Sequence, residues 1–122
     1  MRTGSLICVV DDDEEVRESI GTFFRSAGIR VVKFATAEEL LAFPDFAAMD
    51  FLITDLHMPG MDGLELQREL RRQGCYAPAI LMTAFPTAEA REEAKRLGIA
   101  AFVAKPTDPE MLLERVETLL AA

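Results

Sequence analysis

Five short apolar runs punctuate the chain at near-regular intervals: Leu6–Val10, Ile29–Phe34, Phe51–Thr54, Ala79–Thr83 and Ala100–Val103. They are continuous where half-buried strands would alternate, so each reads as a strand covered on both faces. Helical patterns fill the gaps. Val16, Ile20, Phe23, Phe24 and Ala27 recur at spacings of three and four, and Leu112, Val116, Leu119 and Leu120 do the same near the end. Each set makes one apolar stripe on a helix. Thr36 with Glu39, Asp62 with Glu65, and Thr107 with Glu110 match the reciprocal capping pattern that opens a helix. Gly28, Gly74 and Gly98 stand where helices need a left-handed residue to stop.

The order βαβαβαβαβα with short connections predicts an α/β domain: a doubly wound, five-stranded parallel sheet with helices on both faces. The expected strand order is the flavodoxin-like 2-1-3-4-5. No linker or low-complexity segment interrupts residues 1–122, so one domain is expected. In such sheets ligands bind at the carboxyl ends of the strands, where the order reverses between strands one and three.

That rim is where the unusual residues fall. Strand one ends in Asp11-Asp12-Asp13, strand three in Asp55 and strand four in Thr83, and Lys105 follows strand five. Clustered carboxylates repel, and a hard divalent cation relieves the repulsion. Oxygen donors without a His or Cys cluster favour Mg²⁺, with Mn²⁺ as a second choice, over zinc. Mg²⁺ keeps waters and takes phosphate oxygens as ligands, a lysine neutralises the remaining phosphoryl charge, and a threonine hydroxyl donates to another oxygen. Asp55 is the natural nucleophile, since carboxylates are known to form aspartyl phosphates.

The segments VVDDD (9–13), ITDLHMPGMDG (53–63), LMTA (81–84) and FVAKP (102–106) together resemble the receiver domain of two-component response regulators. The resemblance spans about residues 5 to 120, and the wording around 53–68 with the final AKP is most similar to FixJ-type receivers. It implies roles residue by residue. Asp55 matches the phosphoacceptor, Asp12 the direct Mg²⁺ ligand, and Asp11 the neighbour that reaches the metal through water. His57 matches the position whose backbone carbonyl completes the protein ligands. Thr83 matches the switch hydroxyl, Lys105 the phosphate-binding lysine, Phe102 the switch aromatic and Pro106 a proline after a cis peptide. The implied partners are a sensor histidine kinase or a phosphotransfer protein, with homodimer formation on phosphorylation through the face of helix four, strand five and helix five. The implied activity is that of a switch which helps to catalyse its own phosphorylation and dephosphorylation.

Three positions depart from the common pattern: His57, Phe85 and Thr107. His57 also separates the chain from aspartyl-phosphate phosphohydrolases, which place a second aspartate two residues after the nucleophile. A flavodoxin-like FMN carrier would need a Ser, Thr and Gly-rich loop where this chain has three aspartates. A receiver kept only as a binding module would not need the acceptor, metal and lysine positions together. Asp13 and Glu14 read as helix-capping acids.

Charge and composition narrow the partners. Thirteen basic against twenty-one acidic residues leave a net charge of −8, which opposes direct nucleic-acid contact by this domain. No apolar run approaches the roughly 18 residues of a membrane span, and no signal-peptide pattern opens the chain, so a cytoplasmic location is expected. Cys8 and Cys75 read as free thiols, Cys8 buried in a strand and Cys75 in a loop.

Overall fold

In the computed structural model, which describes residues 5–121, each of the five apolar runs is a strand: β1 (Leu6–Val10), β2 (Arg30–Phe34), β3 (Phe51–Asp55), β4 (Ala79–Thr83) and β5 (Ala101–Ala104). The helices between and after them are α1 (Glu14–Ser26), α2 (Ala37–Leu41), α3 (Gly63–Arg72), α4 (Ala88–Arg96) and α5 (Pro109–Ala121), with a short 3-10 turn at Phe46–Ala48. All strand pairs are parallel, in the order β2-β1-β3-β4-β5. No described helix is long and apolar enough to cross a membrane.

Successive strand residues face opposite sides of the sheet, and the core divides accordingly. Ile7, Val9, Phe51, Ile53, Ile80 and Met82 pack with Ile20 and Phe24 of α1 and with Leu112 and Val116 of α5. On the other face Leu6, Cys8, Val10 and Leu52 meet Ala37 and Leu40 of α2 and Leu66 and Leu70 of α3. Leu81 points to that second face too, where Leu64 and Ala94 cover it. Fully buried side chains of this size each contribute roughly 1.5–3 kcal/mol.

The helix ends follow the expected chemistry with two changes. Asp62 and Glu65 form the full reciprocal cap of α3. Thr36 accepts from the Glu39 amide at 3.1 Å, but the Glu39 carboxylate reaches back to the Ala35 amide at 2.8 Å, one residue beyond the expected partner. The pairing of Thr107 with Glu110 does not form. Asp108 caps α5 instead, accepting from the Glu110 amide at 2.9 Å. Pro109 explains the difference: it takes the first helical position, where its missing N–H costs nothing, and so makes its predecessor the cap. Thr107 Oγ1 lies 3.7 Å from the Met82 sulfur.

Cys75 is also a correction, because it is buried like Cys8. Its amide donates to the Leu70 carbonyl at 2.8 Å, which turns the chain back beneath α3 into the second core face. Both thiols are free, and burial, with Cys75 nearby, pushes Cys8 up to about 12.

Candidate functional site

Strand register assembles the site. Val10 pairs with Thr54, so Asp11 and Asp55 come next on adjacent strands. Asp55 pairs with Met82, one residue before Thr83, and Thr83 pairs with Ala104, one residue before Lys105. Two carboxylates, a hydroxyl and an ammonium thus leave the sheet within one residue of each other.

Asp11 is fully buried and Asp55 is 5% exposed, while Asp12 is exposed. One carboxylate oxygen from each of Asp11, Asp12 and Asp55 lies within 4.8 Å of the other two. The Lys105 ammonium is 2.8 Å from Asp11 Oδ2 and 3.4 Å from Asp55 Oδ2. Asp11 Oδ1 accepts from the Asp13 amide at 2.9 Å, and Arg17 donates to the Asp11 carbonyl at 2.8 Å. Asp13 in turn caps α1, accepting from the amides of Glu15 and Val16. The acidic triplet is thereby divided: Asp13 serves the helix, and Asp11 and Asp12 are left for the rim.

Burial, then the nearby charge of Asp11, pushes the Asp55 carboxyl up to about 6 against the opposing pull of Lys105. Burial alone would lower the Lys105 ammonium, but its contacts with Asp11 and Asp55 outweigh that and hold it above its usual value. Asp11 Oδ2 is paired with the Lys105 ammonium at 2.8 Å, which balances one of the three carboxylates. Two negative charges remain uncompensated by it, and an all-oxygen set of three carboxylates suits a hard cation. The residues present therefore fit Mg²⁺ or Mn²⁺.

The surrounding loops are closely tied to the end of β3. The Leu56 amide donates to the Met82 carbonyl at 2.7 Å, and the Gly63 amide to the Leu56 carbonyl at 2.9 Å. A Cβ on Gly63 would stand 2.5 Å from the Asp55 carbonyl oxygen, so only glycine lets α3 begin this close. Thr83 is buried and its hydroxyl accepts from the Phe85 amide at 3.0 Å. His57 is exposed, with its ring centroid 6.4 Å from that of Phe85, itself 72% exposed. The Lys105–Pro106 peptide is cis. Phe102 is half-buried against the Leu81 and Ala94 cluster, and the Arg91 guanidinium covers its ring at 4.8 Å.

The sequence residues Asp11, Asp12, Asp55, Thr83 and Lys105 are thus brought together, with His57 at the border and Phe102 one strand away. Gly63 lay inside a recognised segment without its close approach being readable there. Arg17 and Arg91 were missed, since a lone arginine on a helix carries no local sign of what it covers.

Residues 7–117 match the response regulator receiver domain family. The transcriptional regulatory protein FixJ of Azorhizobium caulinodans is 35% identical over 112 residues, covering 92% of this chain and 53% of that protein. Nodulation protein W of Bradyrhizobium diazoefficiens is 34% identical over 116 residues, covering 93% of this chain and 50% of that protein. Among solved structures, the crystal structure of FixJ-N superposes with a TM-score of 0.85 at 33% identity, covering 99% of this chain and 96% of that one. The chain spans about half the length of the curated relatives it matches.

Proposed function

The chain belongs to the response regulator receiver domain family, and from that premise we propose that Asp55 is the phosphoacceptor of this signalling switch. The donor is a phosphohistidine on a sensor histidine kinase or phosphotransfer protein. An Asp55 carboxylate oxygen attacks phosphorus in line, a P–O bond forms, the P–N bond breaks and the imidazole leaves with its electron pair. The Asp11, Asp12 and Asp55 carboxylates, with the His57 backbone carbonyl, would hold Mg²⁺. When bound, the metal supplies positive charge for the phosphoryl oxygens.

The remaining work falls to side chains. Lys105, whose ammonium lies 3.4 Å from Asp55 Oδ2, neutralises phosphoryl charge. Thr83 donates its hydroxyl proton to a phosphoryl oxygen, while its lone pair already serves the Phe85 amide. The chain therefore assists its own phosphorylation and dephosphorylation, and works as a switch in the cytoplasm. Drawing Thr83 toward the phosphoryl group lets Phe102 turn inward and reshapes the face of α4, β5 and α5, through which two phosphorylated copies pair. The observation that carries this reading is the convergence of three carboxylates and one ammonium on the reversal point of the sheet.

The test is incubation with acetyl phosphate and Mg²⁺, followed by intact mass and peptide mapping. One phosphoryl group is expected, on Asp55, and none in Asp55→Asn. Labelling of Asp55→Asn at the wild-type level would overturn the assignment.

A further inference from the structure

The loop from Leu56 to Gly63 carries His57, and the structure shows how its shape is kept. Its base is closed by the Gly63 amide donating to the Leu56 carbonyl at 2.9 Å. Its tip crosses to a different helix. The Met61 amide donates to Glu38 Oε2 at 3.0 Å, a contact between residues 23 apart in sequence. Among the described hydrogen bonds it is the only one made by residues 58–61. Gly60 makes the approach possible: it has φ +75, and a Cβ there would lie 2.7 Å from Glu38 Oε2. Met58 is buried and Met61 half-buried in the core face that contains Ala37 and Leu40 of α2. Two apolar pegs and one carboxylate therefore seat the loop on α2, with His57 between the pegged Met58 and the strand-bonded Leu56.

We infer that Glu38 is a positioning residue for the metal site: by accepting from the Met61 amide it holds the loop tip on α2 and so fixes where the His57 carbonyl stands. This rests on the reading that the His57 carbonyl serves the metal. A carboxylate accepting from a backbone amide makes a charge-assisted bond. That bond, with one to its own amide, holds the Glu38 carboxyl below its usual range, so the acceptor is ionised at neutral pH. The α2 helix is itself fixed by its Thr36 cap and by Glu39 on the Ala35 amide.

The experiment is calorimetric Mg²⁺ titration of the wild type, Glu38→Ala, Glu38→Gln and Asp12→Ala, with metal-free melting of each. Glu38 is exposed, so Glu38→Ala should melt within a few degrees of wild type without metal while binding Mg²⁺ about three- to tenfold more weakly, the range expected for one lost hydrogen bond. Glu38→Gln still offers an amide oxygen to Met61 and should bind within about twofold of wild type, because the bond it keeps is the one at issue. Loss of binding in Asp12→Ala with unchanged binding in Glu38→Ala would overturn the positioning role alone. Equal weakening in both Glu38 variants would assign the effect to lost charge and overturn it as well. Binding that ignores Asp12→Ala would overturn the metal-site reading and, with it, this inference.

Discussion

Lys105 is bound more closely to Asp11 than to Asp55, at 2.8 Å against 3.4 Å. The ammonium proposed to meet the phosphoryl group is therefore paired first with Asp11. A cation held by Asp11, Asp12 and Asp55, as proposed, would compete with the lysine for Asp11.

Removing the lysine should separate these two effects. Lys105→Met keeps most of the side-chain bulk and removes one positive charge beside the carboxylates. Mg²⁺ should then bind severalfold more tightly, since like charge no longer opposes it, while phosphorylation by acetyl phosphate slows. Calorimetric titration that finds equal or weaker Mg²⁺ binding in the variant would remove the competition argument.

The acceptor also predicts a pH dependence. Its folded pKa is about 6 against an ordinary value of 3.8. The native state thus holds this proton more strongly than the unfolded chain, and stability from this group falls as pH rises from about 4 to 6. Above that range the wild type carries the full penalty of an ionised, buried Asp55. In chelator, Asp55→Asn should be more stable than wild type at pH 7.5, on the order of 1–2 kcal/mol, and should lose most of that advantage by pH 4.5. Urea denaturation at both pH values measures it, and a difference that does not vary with pH would count against the raised carboxyl.

Gly63 tests how tightly the acceptor is held from below. In Gly63→Ala the new methyl would meet the Asp55 carbonyl at 2.5 Å and Leu81 Cδ1 at 2.8 Å. The backbone contact cannot give way as a flexible side chain can, so α3 must move. We expect a loss of roughly 1–3 kcal/mol in stability, typical of overpacking, together with slower phosphorylation of the displaced Asp55. Wild-type melting and wild-type labelling together would show that the close approach is not a constraint.

Substitutions at Thr83 and Arg91 test the proposed output face. Thr83→Ala should still accept the phosphoryl group yet lose most of the self-association that beryllium fluoride with Mg²⁺ induces in the wild type. Arg91→Ala uncovers the Phe102 ring without touching the acceptor, so association should need less of the mimic. Sedimentation of the three proteins decides both, and association of Thr83→Ala equal to wild type would break the link between hydroxyl and face.

Much of this was legible in the residues. The apolar runs marked all five strands to within a residue at either end. β1, β3 and β4 are buried at every position, as strands covered on both faces should be, whereas the edge strands β2, with Arg30 and Lys33, and β5 are only partly buried. The rim residues were readable because strand ends in a parallel sheet share one edge. What stayed hidden depends on contacts distant in sequence. Thr107 with Glu110 satisfied a local pattern that Pro109 overrode from inside it. Glu38 and Met61 meet across the gap between α2 and a loop, where neither carries a periodic or motif signal. The burial of Cys75 needed the turn under α3, which the sequence shows only as Gly74.

Strand order has a mechanical consequence. Asp55 ends β3, which is hydrogen-bonded to β1 on one side and β4 on the other, whereas Phe102 sits on β5, bonded to β4 alone. The proposed acceptor thus stands on a strand bonded on both sides, and the proposed reporter on an edge strand bonded on one, where fewer backbone bonds oppose a shift. Amide exchange would register the same gradient, slow along residues 52–55 and faster along 101–104.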